Sequence, residues 1–254
     1  MSPSERAGER TSAETAIWQQ LEFGSHRADL ALWEELAAEA DGPVLELGAG
    51  AGRVALHLAR RGHGVVAVER VPELADELER AARELELEIA VVRADLAELD
   101  RSELPIPVAA ALAPLHVVQQ LDPEARRSLL AALAALLPRG ARVGAVVVDE
   151  SSLVGTGHEP RPVPDMREIE GWVYSSEPLW LQMDEQTIRV RRLRERVSPQ
   201  GEIERTVHDD LLHRLAPAAL EGEAANSGLS SVERRPIAAT TYEADSIAVI
   251  LERR

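Results

Sequence analysis

Three alternating glycines and one acidic residue stand together in residues 44–53, VLELGAGAGR. The apolar residues before Gly48 predict a buried strand, and those after Gly52 recur at helical spacing. Glycine permits a sharp turn and lets a ligand approach the backbone N–H groups at the positive end of a helix. The segment therefore predicts a strand-turn-helix unit that binds a phosphate or a ribose. The alternative is a tight structural turn without a ligand.

The spacing of the glycines favours one class of ligand. A dinucleotide fingerprint, G-x-G-x-x-G/A, has a small residue where this chain has Arg53, which is too large for that position. The pattern E-x-G-x-G-x-G instead resembles the first motif of the class I S-adenosylmethionine-dependent methyltransferases. The resemblance implies that Glu46 lies near the amino acid end of this cofactor. It also implies that the backbone passes close to the ribose and methionine parts, at Gly48, Ala49, Gly50 and Gly52.

The next two strands end on further candidate cofactor ligands. Glu69 ends the second strand, and in the resembled family an acid there accepts hydrogen bonds from both ribose hydroxyls; the alternative is a solvated strand end. Arg70 either packs over the adenine or is a solvated neighbour of Glu69. Asp95 follows the third strand, where the family binds the adenine amino group, and the backbone N–H of Leu96 would meet a ring nitrogen. Asp is also a common turn residue.

The fourth strand ends in Ala113-Pro114-Leu115-His116. Ligands of open α/β sheets bind beyond the carboxyl ends of the strands, near the point where strand order reverses. In the resembled family this loop, beginning at Ala113, borders the reactive sulfonium and methyl group. His116 is the best local candidate for a general base, because a neutral imidazole accepts protons near neutral pH. A capping role or an acceptor-orienting role is the alternative.

Composition restricts the class of partner. The chain has 254 residues, is 45% hydrophobic and carries 28 basic against 44 acidic residues, a net charge of -16. Such a surface repels phosphate backbones, so we expect no nucleic acid partner. Cysteine is absent, which excludes disulfides, thiolate metal sites and a cysteine nucleophile. The sequence has no clear His/Asp/Glu ligand cluster, which argues against a metal-dependent O-methyltransferase and leaves only a weak Mg²⁺ site of oxygen ligands as an alternative. No apolar run reaches the length of a signal core or a membrane span, so we expect a cytoplasmic protein with no membrane partner.

The predicted elements alternate between strand and helix up to Asp149. Five strands are predicted in this part of the chain, at residues 44–47, 64–68, 89–92, 108–112 and 143–148. The resemblance implies an α/β fold with a Rossmann-like seven-stranded sheet, mostly parallel with a terminal antiparallel hairpin at residues 229–237 and 246–252. We expect residues 1–41 to form an N-terminal helical lid and residues 42–254 the methyltransferase domain, with an antiparallel β insertion at about 151–215.

The candidate acceptor-binding residues lie outside the glycine motif. Helices are predicted over residues 13–21 and 25–40, with Ser25 as N-cap, and Phe23, His26 and Arg27 lie in or next to the junction at residues 22–27. Either these residues face an acceptor pocket or they form an ordinary helix junction. The insertion is predicted as strands at 170–175, 179–183, 187–197 and 203–215. Its aromatic residues form either a pocket wall or a small core of the insertion: Trp172, Tyr174 and Trp180.

Three functions remain after these observations. The first is methyl transfer from S-adenosylmethionine to the N or O atom of a small molecule, by a monomer or homodimer. The second is a binding protein that keeps the methyltransferase fold without turnover, since fold does not imply reaction. The third, a nicotinamide-dependent oxidoreductase, is disfavoured by Arg53.

Overall fold

A computed structural model describes residues 14–153, 164–238 and 245–254. The order of helices and strands follows the alternation predicted from the sequence. Residues 14–23 are helical and are named α1. The remaining elements are α2 (Leu30–Glu39), β1 (Val44–Leu47), α3 (Arg53–Ala59), β2 (Val65–Val68), α4 (Pro72–Glu84), β3 (Ile89–Val92), β4 (Ala110–Ala113), α5 (Val117–Gln120), α6 (Pro123–Leu136), β5 (Arg142–Val148), β6 (Asp165–Ile169), β7 (Trp172–Met183), β8 (Thr187–Val197), β9 (Ile203–His213), α7 (Pro217–Asn226), β10 (Leu229–Ile237) and β11 (Ser246–Arg253).

The main sheet has seven strands in the order β10-β11-β5-β4-β1-β2-β3. β1 pairs in parallel with β2 and β4, so strand order reverses at β1. β11 runs antiparallel to both β5 and β10, which makes the terminal hairpin. The predicted α/β fold, with its mostly parallel seven-stranded sheet and separate antiparallel insertion, is confirmed.

The sheet is buried on both faces because its central strands are apolar throughout. On one face, α6 and α7 contribute Leu129, Leu133 and Leu220 to a core with Leu45 and Leu47. On the other face, side chains of α2, α3 and α4 pack with Val44 of β1. Side chains alternate along a strand, so Glu46 points to the same face as Val44, towards α2 and α3.

The insertion forms a second sheet in the order β6-β7-β8-β9, with every pair antiparallel. Its β7 is one long strand with an irregular register between Pro178 and Trp180, where two separate strands were predicted. β6 begins at Asp165, inside a segment predicted as a loop. Residues 154–163 of that loop and the predicted polar N-terminus lie outside the described residues.

α1 and the main sheet hold the insertion from two sides. Glu22 of α1 is buried and accepts hydrogen bonds from Arg194 on β8, at 2.8 and 2.6 Å, and from Ser176 on β7 at 2.7 Å. At the other side, the buried Gln119 on α5 donates to the His213 carbonyl of β9 and accepts from the Val148 N–H of β5. We name this second sheet, β6 to β9, the roof.

The second helix differs from its prediction at the N-terminal end. It begins at Leu30, not at Ser25, which is exposed in the turn before it. Asp29 occupies the N-cap position but makes no side-chain cap, because its carboxylate binds residues elsewhere in the fold. Within the described ranges, no helix is long and apolar enough to cross a membrane.

Candidate active site

The turn between β1 and α3 has a conformation that requires glycine. Gly50 and Gly52 have φ angles of +57° and +93°, which L side chains rarely adopt. A Cβ on Gly52 would lie 2.3 Å from Leu78 Cδ1, and one on Gly50 would lie 2.2 Å from Gln19 Nε2 on α1. The turn is therefore packed against α4 on one side and against α1 on the other. Gly48 and Gly50 line a cavity, whereas Ala49 and Gly52 are not among the described residues that line it.

Glu69 binds this glycine turn directly. The side chain is buried at the end of β2, and its two carboxylate oxygens accept the N–H groups of Gly50 and Val71, each at 2.8 Å. Because a carboxylate oxygen has two acceptor positions, each oxygen keeps capacity for another donor. Glu69 lines the cavity, so this capacity is available to a ligand there.

Asp95 and Arg70 lie beside each other after β3 and β2. The Asp95 carboxylate accepts the Ala97 N–H at 2.9 Å and lies 3.6 Å from Arg70 Nη1. Asp95, Leu96 and Arg70 all line the cavity. The structure thus brings together the residues predicted after three neighbouring strands at one edge of the sheet.

Glu46 is buried below the glycine turn, and neither it nor Ala113 is among the described residues that line the cavity. Burial raises the pKa of Glu46 from 4.5 to about 8, against the lowering effect of the Arg53 charge. One carboxylate oxygen, Oε2, has no hydrogen-bond partner among the described residues. This raised pKa favours the protonated form of the side chain near neutral pH.

Arg53 explains why this turn tolerates a large residue. Its guanidinium donates two 2.6 Å hydrogen bonds to the carboxylate of Asp29, which is 1% exposed, and one to the His26 carbonyl at 3.1 Å. Trp33 donates to the same carboxylate at 2.7 Å. Burial acts to raise the pKa of Asp29, but the hydrogen bonds and charge of Arg53 outweigh it and lower that pKa. This contact joins α2 to α3 and was not foreseen from the sequence.

His116 lies at the cavity wall just before α5. Its backbone is left-handed, with φ of 62°, and its Nε2 lies 2.8 Å from the Ser246 hydroxyl on β11. The strand end of β4 and the terminal hairpin together position the imidazole. This geometry is compatible with either a proton-accepting or an acceptor-orienting role.

The cavity has a volume of about 1160 Å³ and lies between the carboxyl edge of the main sheet, α1 and the roof. Pockets for one drug-sized ligand measure about 300 to 1,000 Å³, so this cavity is larger than the usual pocket for a single ligand. From the main sheet, the glycine turn, Glu69 and Asp95 line it. From the roof, its lining includes Trp180, Arg192, His208 and Asp210.

Of the residues predicted to bind the acceptor, some line the cavity and others do not. Phe23 lines the cavity, with the Arg192 Cζ 5.8 Å from its ring centre. Arg27 is exposed and is not among the described residues lining the cavity. Tyr174 packs edge-on against Trp18 of α1, and Trp172 packs against the same cluster, outside the cavity lining. Sequence reasoning missed the polar roof residues, and the Arg residues of β8 gave no clear signal, because they occupy both faces of the strand, Arg189 and Arg191 on one and Arg192 and Arg194 on the other.

Part of the chain matches a known family. A family model described as "Methyltransferase domain" matches residues 44–140. No curated protein matches the sequence. The matched segment begins at β1 and contains the glycine turn, Glu69, Asp95 and His116.

Solved structures with the same fold cover nearly the whole chain. An S-adenosylmethionine-dependent methyltransferase from Clostridium acetobutylicum is 12% identical with a TM-score of 0.71, covering 93% of this chain and 96% of its own. The CcbJ methyltransferase from Streptomyces caelestis is 22% identical with a TM-score of 0.64, covering 91% and 97%. The sugar N-methyltransferase KedS8 from Streptoalloteichus is 16% identical with a TM-score of 0.69, covering 94% and 91%.

The sheet order, the reversal of strand order at β1 and the terminal hairpin are those of the class I methyltransferase fold. Within this fold, the segment that matches the family model, residues 44–140, carries the glycine turn and Glu69.

Proposed function

We propose that this protein transfers the methyl group of S-adenosylmethionine to the N or O atom of a small molecule. The observation that carries the proposal is the arrangement at one cavity edge. There the glycine turn, Glu69 and Asp95 follow three adjacent strands and face the same space. The carboxyl edge of an open α/β sheet is where such folds bind ligands.

The residues at this edge fit the chemistry of an adenosine. Glu69 is a buried acid with acceptor capacity left for two ribose hydroxyls. Asp95 with the Leu96 N–H would bind the adenine edge, and Arg70 would cover the ring. The backbone of Gly48 and Gly50 would pass the ribose and methionine parts, with Ala49, Gly52, Glu46 and Ala113 supporting the turn and the adjacent strand end. When bound, the cofactor supplies an electrophilic methyl group.

The protein's own contribution to the reaction is mainly positioning. The in-line displacement requires the acceptor atom to be held next to the methyl group, and well-oriented reactants gain roughly 7 to 11 kcal/mol. His116, at the cavity wall, would accept the proton of a hydroxyl acceptor or orient an amine.

α1 and the roof would enclose the reactants. Gln19 of α1 lies against the glycine turn, with its Oε1 3.4 Å from the Ala51 N, and Glu22 joins α1 to Arg194 of the roof. We therefore assign α1, within the predicted lid of residues 1–41, as the cover of the cofactor and the roof as the boundary of the acceptor site, whereas α2 packs on the main sheet.

The fold neighbours support a small-molecule acceptor. They include an amino pentose methyltransferase and a glycopeptide N-methyltransferase, in addition to the sugar enzyme above. The net charge of -16 supports the same choice over a nucleic acid.

A thermal shift tests the cofactor assignment. A ligand at about 100 times its dissociation constant stabilises a fold by about 2.7 kcal/mol, which corresponds to about 5 to 11 °C for a chain of this size. We expect this rise with S-adenosylmethionine or S-adenosylhomocysteine and none with NAD. The reverse pattern would show an oxidoreductase site instead.

A further inference from the structure

Three polar side chains of the roof share one face and line the cavity away from the glycine turn. Arg192 of β8 is the pairing partner of His208 on β9, and Asp210 lies two residues further along β9. Side chains two residues apart point to the same face of a strand. Arg192 and Asp210 are 3.2 Å apart, and His208 Nε2 lies 3.3 Å from Asp210. No part of the cofactor proposal uses these residues.

The Arg192 guanidinium is incompletely bound. It is 4% exposed, and Nε donates to Asp210 Oδ2 at 3.2 Å while the group lies over the ring of Phe23. Among the described residues, Nη1 has no hydrogen-bond partner. A guanidinium carries five N–H donors, and a buried donor without an acceptor is unfavourable. A cavity ligand that brings an oxygen atom to the free end of this side chain would remove that cost.

Arg194 shows what a completed pair looks like on the same strand face. Its guanidinium makes two hydrogen bonds to Glu22, whose carboxylate also accepts the Ser176 hydroxyl. Arg194 therefore joins the roof to α1. Arg192 has a single hydrogen bond, to Asp210, so most of its N–H groups are available to a ligand in the cavity.

The charges of Arg192 and Asp210 indicate which kind of oxygen-bearing group would bind to them. Burial acts to raise the pKa of Asp210, but His208 and Arg192 outweigh it and lower that pKa, so the carboxylate balances the Arg192 charge. An anionic group added here would leave a partly buried charge without a partner, which is costly. A hydroxyl instead accepts from a guanidinium and donates to a carboxylate. A neutral hydroxyl therefore suits the pair.

We propose that Arg192 and Asp210 bind a hydroxyl-bearing part of the methyl acceptor and select acceptors that carry it. This inference rests on the proposed function, because it assigns the second half of the same cavity. It identifies the acceptor as a hydroxylated small molecule. Arg192 is the specificity-determining residue, and Phe23 supports the plane of its guanidinium.

Binding of two probe amines to the protein saturated with S-adenosylhomocysteine tests the proposal. Glucosamine carries ring hydroxyls, and cyclohexylamine has a similar ring without them. A hydrogen bond to a charged group is worth about 1.5 to 3 kcal/mol, so we expect calorimetry to show roughly tenfold or stronger preference for glucosamine. Arg192→Gln should abolish this preference. Arg192→Lys, which keeps the charge without the planar fork, should weaken it.

Arg196→Gln is the matched control. Arg196 lies on the same face of β8, but it stacks on Trp172, pairs with Glu204 and with Glu14 of α1, and is not itself among the described residues that line the cavity. The preference should survive in this variant. Retained S-adenosylhomocysteine binding by every variant would show that the fold is intact.

Four outcomes would overturn the proposal: equal affinity for both amines, binding of neither, a preference that survives Arg192→Gln, or tighter binding of glucosamine 6-phosphate than of glucosamine. The last would show an anion site. If the wild-type protein fails to bind S-adenosylhomocysteine, the proposed function itself is wrong. Normal cofactor binding with any of the four outcomes refutes the acceptor assignment alone.

Discussion

The free energy of unfolding of Glu46→Gln should rise relative to that of the wild-type protein as pH rises. Glu46 is buried below the glycine turn, and burial raises its pKa from 4.5 to about 8. Between these values the folded chain holds a proton that the unfolded chain releases. The stabilisation is fully present below pH 4.5 and is lost as pH rises through about 8. An amide has the shape of the protonated carboxyl group and does not ionise.

The size of the effect follows from the two pKa values. At about pH 6, the Glu46 proton stabilises the folded state by about 2.7 kcal/mol relative to the high-pH limit. At about pH 9 this contribution falls to about 0.1 kcal/mol. The free energy of unfolding of Glu46→Gln should therefore rise relative to wild type by about 2.6 kcal/mol between these conditions. A chain of this size would show this as about 5 to 10 °C in relative melting temperature.

Urea unfolding of both proteins at about pH 6 and about pH 9, followed by tryptophan fluorescence, measures the difference. Glu88→Gln, at an exposed position before β3, is the control and should keep a constant difference from wild type. If Glu46→Gln also keeps a constant difference, to within about 0.5 kcal/mol, the carboxyl group is not protonated in the folded state. The account of the buried motif acid would then be wrong.

Three other substitutions test neighbouring parts of the site. Glu69→Ala should weaken S-adenosylhomocysteine binding, measured by calorimetry, roughly a hundredfold, because charged hydrogen bonds to the ligand are lost. The control Asp76→Ala, which changes an exposed acid on α4, should bind as wild type does. If Glu69→Ala also binds as tightly as wild type, Glu69 is not part of the ribose site. Asp29→Ala leaves the buried Arg53 charge unpaired and should lower the free energy of unfolding by about 3 to 5 kcal/mol; a loss below about 1 kcal/mol would contradict the pairing. With a hydroxyl acceptor, His116→Asn should lower kcat at least about a hundredfold without changing cofactor affinity, and a smaller effect would exclude proton transfer by His116.

The main sheet was predictable because its signals are local. Short apolar runs, the glycine turn and the proline-started helices each define an element within a few residues, and the parallel order follows from the β-α alternation. Glu69 and Asp95 could be placed near the glycine turn because parallel strands end at one edge. The structure brings both to the cavity.

The contacts that join distant segments could not be predicted. Asp29 lies at the N-cap position of α2, yet its carboxylate binds Arg53, 24 residues away, and nothing local indicates that pairing. Trp172 and Trp180 belong to the same long strand, but only Trp180 lies at the cavity. A register irregularity at Pro178–Trp180 lies between the two residues, so the usual alternation of side chains between the two faces of a strand does not predict their relative orientation.

Incubation of the protein with methyl-labelled S-adenosylmethionine and a pool of small metabolites tests the central claim most directly. We predict a labelled small-molecule product, formed together with S-adenosylhomocysteine and strongly reduced by Glu69→Ala. Cofactor binding without any labelled product across a broad pool would contradict methyl transfer and favour a binding protein of methyltransferase fold.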